Sequence, residues 1–375
     1  MNDCHHSYSE FRINLDNLQY NIKKIRGYVN TEIILVVKNN AYGYGALGIG
    51  LYAQRFGIKK LAVISFSEAL ELKENGISIP IIIMGKIFLE ELKEAVELGF
   101  EPTVFEPNEI NEIENICKKS GRTATVHINV ETGMNRLGID FEAAKTMIKT
   151  VEKSNHVKIG GIYSHFSTPI DREYSLAQIE SFEEFTKNLG KKYTLHFSNS
   201  APSLFYPSAR FDGVRIGILS YGIDPSKQGK INLKKVGTLK SKVIRIISVK
   251  KGESVGYDRK FIAKKDSKIA VLQIGYGDGL PYRLNYGGKV FINGNYYDIV
   301  GSVCMDHIFA KVDEKVNLFD DAEIFGENVN IEELAEKCGT IPYDISVKIG
   351  YNIPRIYIKD GKEVLKIQDN KICYQ

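Results

Sequence analysis

The sequence predicts a (β/α)8 barrel followed by a mainly β C-terminal domain. Short apolar runs alternate with amphipathic segments through roughly the first 230 of the 375 residues. Most of these runs are continuously apolar, as is typical of parallel strands covered on both faces. Beyond that point the apolar runs are joined by turns rather than helices. A chain of this length and pattern therefore divides into two domains.

The barrel prediction depends on eight strands, each separated from the next by a helical or loop segment. They are Ile33–Lys38, Leu61–Phe66, Ile79–Gly85, Pro102–Phe105, Ala124–Glu131, Lys158–Phe166, Thr194–Ser198 and Gly213–Leu219. The alternative is a doubly wound open sheet, because Gly43, Gly45 and Gly48 fit the GxGxxG pattern of a dinucleotide-binding turn. That turn does not follow the first strand directly, and eight units favour the barrel.

The second domain shows a different pattern of apolar segments. We predict a barrel domain over residues 10–230 and a mainly β domain over 231–375, with segment 1–9 as a candidate addition to the latter. Asn293-Gly294 is a hairpin turn pattern. Only Ile331–Gly339 has a helical pattern there.

Composition excludes several classes of function. Lys plus Arg number 50 against 46 for Asp plus Glu, and a net charge of +4 over this length is no footprint for nucleic acid. No apolar run approaches the ~18 residues of a membrane helix. The polar N-terminus and scattered cysteines indicate a cytoplasmic protein without a zinc site. Cys4, His5 and His6 are interpreted as a frayed terminus rather than a metal site.

Lys38 closes the first predicted strand, and the C-terminal strand ends of a barrel face its active site. It lies in the string V-V-K-N-N-A-Y-G-Y-G (Val36–Gly45). This string closely resembles the signature around the cofactor lysine of alanine racemases, which are fold type III pyridoxal 5'-phosphate (PLP) enzymes. The resemblance continues along almost the whole chain, in about eight segments that keep the family's order.

The resemblance implies a set of cofactor contacts on the barrel. Lys38 matches the lysine that binds PLP covalently, and a deprotonated amine suits that role. The other matched cofactor residues are Tyr42, His165, Asn199, Ser200, Arg215, Gly217, Ile218 and Tyr343. Ser200 is also predicted to cap the next helix, whose free amides would bind phosphate.

Arg215, in V-R-I-G-I-L-S-Y-G, matches the arginine that donates to the pyridine nitrogen. An arginine does not readily give up its proton, so the pyridine stays neutral and is a weaker electron sink. The expected consequence is simple proton exchange at Cα with few side reactions such as transamination.

The segment H-I-N-V-E-T-G-M-N-R-L-G places Arg136 on the family arginine that contacts the cofactor's phenolic oxygen and the substrate carboxylate. Many members have a carbamylated lysine where this chain has Asn129, and an asparagine cannot be carbamylated. We expect either a bound chloride beside Arg136 or a direct bond from Asn129 to Arg136.

In the second domain, Tyr257 matches the second catalytic base, which reaches the neighbouring subunit's active site. Racemisation needs bases on opposite faces of Cα. Tyr276 matches a tyrosine at the substrate entrance, and Met305 and Asp306 match residues that line the partner's substrate pocket. The implied assembly is a homodimer with shared sites.

The resemblance thus implies an isomerase that interconverts L- and D-alanine, using Lys38 and Tyr257 as the two bases. D-Alanine biosynthesis supplies a peptidoglycan precursor in this family. The alternative is a serine or broader-specificity racemase, and a third hypothesis is a PLP-binding protein without turnover. The retained β domain speaks against the third, and a PLP decarboxylase is disfavoured by Arg215.

Overall fold

The computed structural model describes residues 7–189, 193–226 and 228–373. Within these ranges eight parallel strands close into a barrel, and most of the remaining strands form a ten-stranded sheet. This confirms the predicted fold class. No helix in the described ranges combines the length and apolar character needed to cross a bilayer. Cys4, His5 and His6 lie outside the described residues.

The first strand, β1 (Ser9–Asn14), precedes the barrel. The barrel strands are β2 (Glu32–Val36), β3 (Lys60–Val63), β4 (Ile81–Ile83), β5 (Glu101–Val104), β6 (Ala124–Asn129), β7 (Val157–Tyr163), β8 (Thr194–His196) and β9 (Gly213–Ile216). The helices around them are α1 (Leu15–Val29), α2 (Lys38–Tyr42), α3 (Ala46–Arg55), α4 (Phe66–Glu74), α5 (Leu89–Leu98), α6 (Pro107–Ser120), α7 (Phe141–Glu152), α8 (Arg172–Lys187) and α9 (Pro202–Phe205). Each observed strand overlaps a predicted one, because continuous apolar runs mark strands that are covered on both faces.

The remaining strands belong to the C-terminal part of the chain. They are β10 (Gly237–Val249), β11 (Ser254–Val255), β12 (Phe261–Ile262), β13 (Ser267–Leu272), β14 (Lys289–Ile292), β15 (Asn295–Val300), β16 (Ile308–Val312), β17 (Asp321–Phe325), β18 (Arg355–Lys359), β19 (Lys362–Gln368) and β20 (Lys371–Cys373). Two helices accompany them, α10 (Ile331–Cys338) and α11 (Pro342–Ser346). The sequence predicted α10 but not α11, which is only five residues long and has too few positions for a helical pattern.

Strand β1 joins the two parts of the chain. It pairs antiparallel with β10 and parallel with β18, so it lies inside the large sheet. Ser9–Asn14 is therefore a strand of this sheet, although the sequence prediction placed residues from 10 onward in the barrel domain. Helix α1 follows β1 without a linker and leads into the barrel.

The glycines of the GxGxxG pattern allow close packing between the barrel and the β sheet. A Cβ atom at Gly48 would lie 2.1 Å from the Tyr357 ring, and one at Gly45 would lie 1.9 Å from the Tyr357 hydroxyl. Tyr357 is fully buried on β18 and donates to the carbonyls of Tyr44 and Gly45. The open-sheet alternative is therefore wrong, and the pattern marks an inter-domain contact.

Local turn chemistry agrees with the sequence at several points. Gly99 and Gly121 end α5 and α6 with φ of +73° and +67°, as predicted for C-capping glycines. Asn293 and Gly294 both have positive φ and join β14 to β15 as a hairpin. These turns fix the positions of the surrounding elements.

Candidate active site

A cavity of about 890 Å³ lies at the C-terminal ends of the barrel strands. All nine cofactor-contact residues predicted from the sequence line it: Lys38, Tyr42, His165, Asn199, Ser200, Arg215, Gly217, Ile218 and Tyr343. Among its described lining residues are four basic side chains and no carboxylate; the basic residues are Lys38, Arg172, Arg215 and Lys230. The cavity therefore favours an anionic ligand.

Lys38 begins α2, which is a left-handed turn rather than a regular helix, and does not lie on a strand. Strand β2 ends at Val36, two residues earlier than the sequence prediction. Residues 39–42 all have φ between +50° and +57°. Left-handed backbone costs about 1–2 kcal/mol per residue outside glycine, although asparagine tolerates it better. Surrounding contacts must therefore hold this turn in place.

Two groups from outside the turn stabilise it. The Glu68 carboxylate accepts the amide of Asn39 at 2.5 Å and that of Ile64 at 2.8 Å. Arg355, buried on β18, donates through Nε and Nη2 to the Gly43 carbonyl at 3.2 and 3.0 Å. The β domain thus fixes the segment that carries Lys38.

The electrostatic surroundings of Lys38 favour its neutral form. Burial lowers the pKa of its amine, the charges of Arg136 and Arg215 act in the same direction, and Glu68 opposes them. A lowered pKa increases the fraction of free amine at neutral pH. The side chain can therefore act as a nucleophile or a base.

One end of the cavity concentrates hydrogen-bond donors. The Gly217 amide faces the Ser200 hydroxyl at 3.1 Å, and a Cβ at Gly217 would lie 2.4 Å from the Tyr42 hydroxyl. The Tyr42 and Tyr343 rings lie 6.1 Å apart. Burial raises the pKa of Tyr42 to about 12 and raises that of Tyr343 as well, so both stay protonated donors.

Ser200 differs from its prediction in one respect. Helix α9 is capped by Ala201 without a side-chain hydrogen bond, so the expected cap at Ser200 is wrong. The helix starts one residue later because Pro202 occupies its first turn. The Ser200 hydroxyl instead faces Gly217 inside the cavity.

Arg215 is 2% exposed and its guanidinium is held by carbonyls and imidazoles rather than by a carboxylate. Its Nη2 donates to the carbonyls of Ser164 and Phe197 at 2.6 and 3.1 Å. Nη1 lies 3.1 Å from Nδ1 of His196 and also donates to the His196 carbonyl. Burial lowers the pKa of Arg215 to about 10, which leaves it charged at neutral pH.

His165 lies between Arg215 and Asn199. Arg215 Nη2 lies 3.2 Å from His165 Nδ1, and an arginine can only donate, so Nδ1 accepts and Nε2 carries the proton. The Asn199 amide atom 3.0 Å from Nε2 must then be its oxygen. Rotating that amide also gives a partner to Asn199 Oδ1, which is otherwise buried without one. Burial and the neighbouring cations lower the pKa of His165 well below its usual value.

Among the described residues, neither Arg136 nor Asn129 lines the cavity, although the charge of Arg136 acts on Lys38, and the two side chains do not bond to each other. Arg136 is exposed, and its guanidinium has no hydrogen bond or ion pair within the described residues. Asn129 is 9% exposed at the end of β6. The expectation of a direct bond from Asn129 to Arg136 is therefore not met in the described chain.

The β-domain residues lie apart from the cavity of their own chain. Tyr257 is 69% exposed, Tyr276 43% and Met305 54%, and Asp306 is also exposed. The loop at Tyr276 packs on the Met305 loop, with Tyr276 N donating to Cys304 O at 3.0 Å. A Cβ at Gly275 would lie 2.1 Å from the Met305 carbonyl, so glycine is needed for this close approach.

Sequence reasoning missed several residues that shape the site. Glu68 and Arg355 hold the Lys38 turn, and Met134 lines the cavity. Met134 lies in the string H-I-N-V-E-T-G-M-N-R-L-G, and Arg355 lies in the C-terminal N-I-P-R-I-Y segment, which also resembles the family. Glu68 lies on an ordinary amphipathic helix, so nothing in its local sequence indicates contact with Lys38.

The side chains present fit PLP. The cavity offers an amine of lowered pKa, a buried charged arginine, a glycine beside the Tyr42 hydroxyl, and a buried asparagine amide oxygen. The hydrogen-bond donors suit the phosphate and the pyridine ring of PLP, and the lysine amine is a nucleophile suited to its aldehyde. Together with the barrel, they define the class of PLP enzymes that carry a C-terminal β domain.

Comparison with known proteins specifies the family. The model of the alanine racemase N-terminal domain matches residues 13–225, and that of the C-terminal domain matches 236–357. Alanine racemase 1 of Clostridium acetobutylicum is 37% identical over 95% of this chain and 97% of its own length. The alanine racemase of Treponema denticola is also 37% identical, over 93% and 97%.

Solved structures agree with this result. The alanine racemase of Clostridium difficile 630 superposes with a TM-score of 0.92 at 30% identity, covering 98% of this chain and 100% of that one. The Bacillus anthracis alanine racemase with bound L-Ala-P gives 0.90 at 32% identity, covering 98% and 99%. The chain belongs to the alanine racemase family. It is a PLP-dependent isomerase, as the sequence resemblance implied.

Proposed function

We propose that the chain interconverts L- and D-alanine with two bases, in a homodimer whose sites combine Lys38 of one subunit with Tyr257 of the partner subunit. One observation carries the proposal. Lys38 lies inside the cationic cavity, whereas Tyr257 projects from the β domain of the same chain, 69% exposed and outside that cavity. A two-fold dimer would bring each tyrosine to the other chain's cavity.

In this arrangement the bases exchange protons on opposite faces of the substrate Cα. Lys38 Nζ takes or returns the proton on one face, and Tyr257 Oη of the partner subunit does so on the other. Bound PLP supplies the electron sink for the pair left at Cα. Arg136 binds the substrate carboxylate, for which its unpaired guanidinium is suited.

The remaining cofactor contacts follow from the cavity. Tyr42, Ser200, Tyr343 and the amides of Gly217 and Ile218 would hold the phosphate. Arg215 would face the pyridine nitrogen, with His165 and Asn199 beside the ring. Because Arg215 stays charged without a carboxylate partner, it donates and cannot accept a proton, and the pyridine remains neutral.

Alanine is favoured over serine as the substrate. The relatives at 37% identity are named alanine racemases. Tyr343 narrows the cavity, and we propose that Tyr276, Met305 and Asp306 of the partner subunit narrow it further. The matched β domain, residues 236–357, disfavours a binding protein without turnover.

We place a chloride beside Arg136 and Asn129. Arg136 has no anionic partner within the described residues, and Asn129 supplies no negative charge to it. Crystals grown with bromide should show an anomalous peak next to the Arg136 guanidinium. Absence of a peak at full bromide exchange would contradict the chloride assignment.

The proposal extends to the biological setting, where the chain makes D-alanine in the cytoplasm for peptidoglycan. Expression in a bacterium that requires D-alanine should restore growth without the supplement. The Lys38→Ala variant, expressed equally, is the matched control and should not restore it.

The direct test is purified protein with PLP and a panel of L-amino acids, followed by chiral chromatography. Alanine should racemise, with serine turnover at least about tenfold lower if the pocket discriminates by one hydroxyl. Equal rates for alanine and serine would show a racemase of broader specificity. No turnover of any amino acid would overturn the proposal.

A further inference from the structure

A row of buried polar side chains runs through the barrel interior behind Arg215. Its members are His196 on β8, His127 on β6 and Glu101 on β5, and Lys60 on β3 completes it. The two imidazoles are 0% and 1% exposed, and Glu101 is 8% exposed. Nothing in the proposed chemistry uses Glu101, His127 or Lys60, so their burial calls for an explanation.

The distances make the row continuous. Lys60 Nζ lies 2.6 Å from Glu101 Oε2, and the same oxygen lies 2.8 Å from His127 Nε2. His127 Nδ1 lies 3.3 Å from His196 Nε2. His196 Nδ1 then lies 3.1 Å from Arg215 Nη1. Each imidazole therefore connects two neighbours through its two nitrogens.

The charged ends fix the direction of every bond between them. Arginine only donates, so His196 Nδ1 must accept and His196 Nε2 must carry the proton. That proton points to His127 Nδ1, which accepts, leaving the His127 proton on Nε2. An ionised carboxylate only accepts, so Glu101 receives that proton. Only one tautomer of each histidine satisfies all four contacts.

We propose that Glu101 and His127 are positioning residues: they fix the tautomer of His196 and thereby hold the Arg215 guanidinium toward the cofactor ring. Because Glu101 can only accept, His127 keeps its proton on Nε2 and accepts at Nδ1. His196 therefore keeps its own proton on Nε2, and its Nδ1, which faces Arg215, carries none. Packing supports the same geometry, since the Tyr163 ring stacks on His196 at 4.8 Å and lies 4.9 Å from the guanidinium of Arg215. The inference rests on the proposed contact between Arg215 and PLP.

Loss of the carboxylate acceptor would permit the opposite tautomers. A proton on His196 Nδ1 would then face the N–H of Arg215, and two donors would repel each other. Arg215 would shift from its position, and the pyridine nitrogen would lose a fixed donor. The consequence would be slower proton exchange and more transamination of the cofactor for each racemisation.

The first test needs no catalysis. Nitrogen-15 NMR of histidine-labelled protein, with His127 and His196 assigned by single substitutions, should show both rings neutral at pH 7 with the proton on Nε2. A proton on Nδ1 of either ring, or a doubly protonated ring, would overturn the proposal. This measurement is decisive even if a Glu101 variant does not fold.

The second test compares three holoenzyme variants. Glu101→Leu removes the acceptor and should lower kcat about tenfold, with KM for alanine within about twofold and more transaminated cofactor per turnover. Glu101→Gln keeps an acceptor oxygen and should retain more than about a third of kcat. Glu109→Gln is the control, because Glu109 is 4% exposed in the same barrel, accepts from the amides of Phe105 and Glu106 and pairs with Lys86, none of which belongs to the row.

The possible results separate the two proposals. If Glu101→Leu matches the control in kcat and in transamination, the link from Glu101 to Arg215 is wrong, whatever the tautomers are. If the unsubstituted enzyme does not racemise alanine, the proposed function is wrong. The NMR result still decides whether the hydrogen bonds in the row have the inferred directions.

Discussion

The barrel end of the site and the β-domain loops differ in how completely one chain builds them. Arg215 is 2% exposed and has hydrogen-bond partners on neighbouring strands and the segments that follow them. Tyr257 is 69% exposed, and its hydroxyl has no hydrogen bond within the described residues. One region is preorganised by a single fold. The other presents exposed side chains at the surface.

The two regions differ in function as well as in burial. A packed barrel can hold a cofactor in fixed geometry, because its side chains are locked by neighbours. In the proposed homodimer, the exposed loops of one subunit complete the site of the other. Substitutions in the barrel should therefore alter the cofactor, whereas substitutions in the β-domain loops should alter turnover alone.

The largest effect is expected for Lys38→Ala. It removes the only lysine on the turn after β2, so racemisation in both directions should fall by at least about 10³-fold, through loss of a base and of covalent cofactor attachment. Absorbance spectroscopy should show loss of the band of lysine-bound PLP. An unchanged spectrum would remove Lys38 from its role.

Tyr257→Phe should follow, with a fall of about 10²–10⁴-fold in at least one direction, because one general base is lost. The cofactor spectrum should stay unchanged, whereas Lys38→Ala in the barrel should change it. Tyr296→Phe is the control, since Tyr296 is 54% exposed on the same domain and its hydroxyl donates only to Asn328 O. Full activity of Tyr257→Phe in both directions would contradict the two-base assignment.

Acid should destabilise the folded protein through the buried histidines of the barrel. Burial lowers the pKa of His127, His165 and His196 in the folded protein, so unfolding lets each take up a proton once the pH falls below about 6.5. Their stabilisation is complete above that pH and is lost as the pH decreases, by up to about 4 kcal/mol per pH unit for three histidines. Urea unfolding of the apoprotein between pH 7.5 and 5.5 measures this slope. A flat profile would show that the rings are not neutral and buried.

The smallest effects come from a matched glycine pair. Gly48→Ala in α3 would meet the Tyr357 ring at 2.1 Å and should destabilise the protein by about 1–3 kcal/mol. Gly27→Ala in α1 meets nothing within 4 Å and should stabilise by about 0.5–1 kcal/mol, as alanine favours helix. Thermal unfolding midpoints should move in opposite directions, and equal shifts would contradict the packing role of Gly48.

The sequence predicted the parts of this molecule that have local patterns. All eight barrel strands come from apolar runs, and Lys38 and Arg215 lie in strings that one can read residue by residue. The prediction of a barrel therefore needed no knowledge of distant contacts. The nine residues that the family resemblance predicts to contact the cofactor line one cavity.

Contacts between distant residues could not be predicted in this way. Arg355 is 312 positions from Gly43, and no spacing rule links them. Strand β1 has the alternating polar and apolar residues of many short strands, so its local sequence does not indicate that it pairs with β10 and β18. The left-handed turn at Asn39 could not be predicted locally either, because Glu68 and Arg355 stabilise it from other elements.

The central claim is that each site takes Lys38 from one chain and Tyr257 from its partner, and mixing two inactive variants tests it most directly. Lys38→Ala and Tyr257→Phe proteins, mixed in equal amounts and allowed to exchange subunits, form hybrid dimers in which one site has both bases and the other has neither. Random pairing makes half of the dimers hybrids, so alanine racemisation should recover to about a quarter of the unsubstituted rate. Recovery near zero, with hybrid dimers shown to be present by native mass spectrometry, would contradict the shared site.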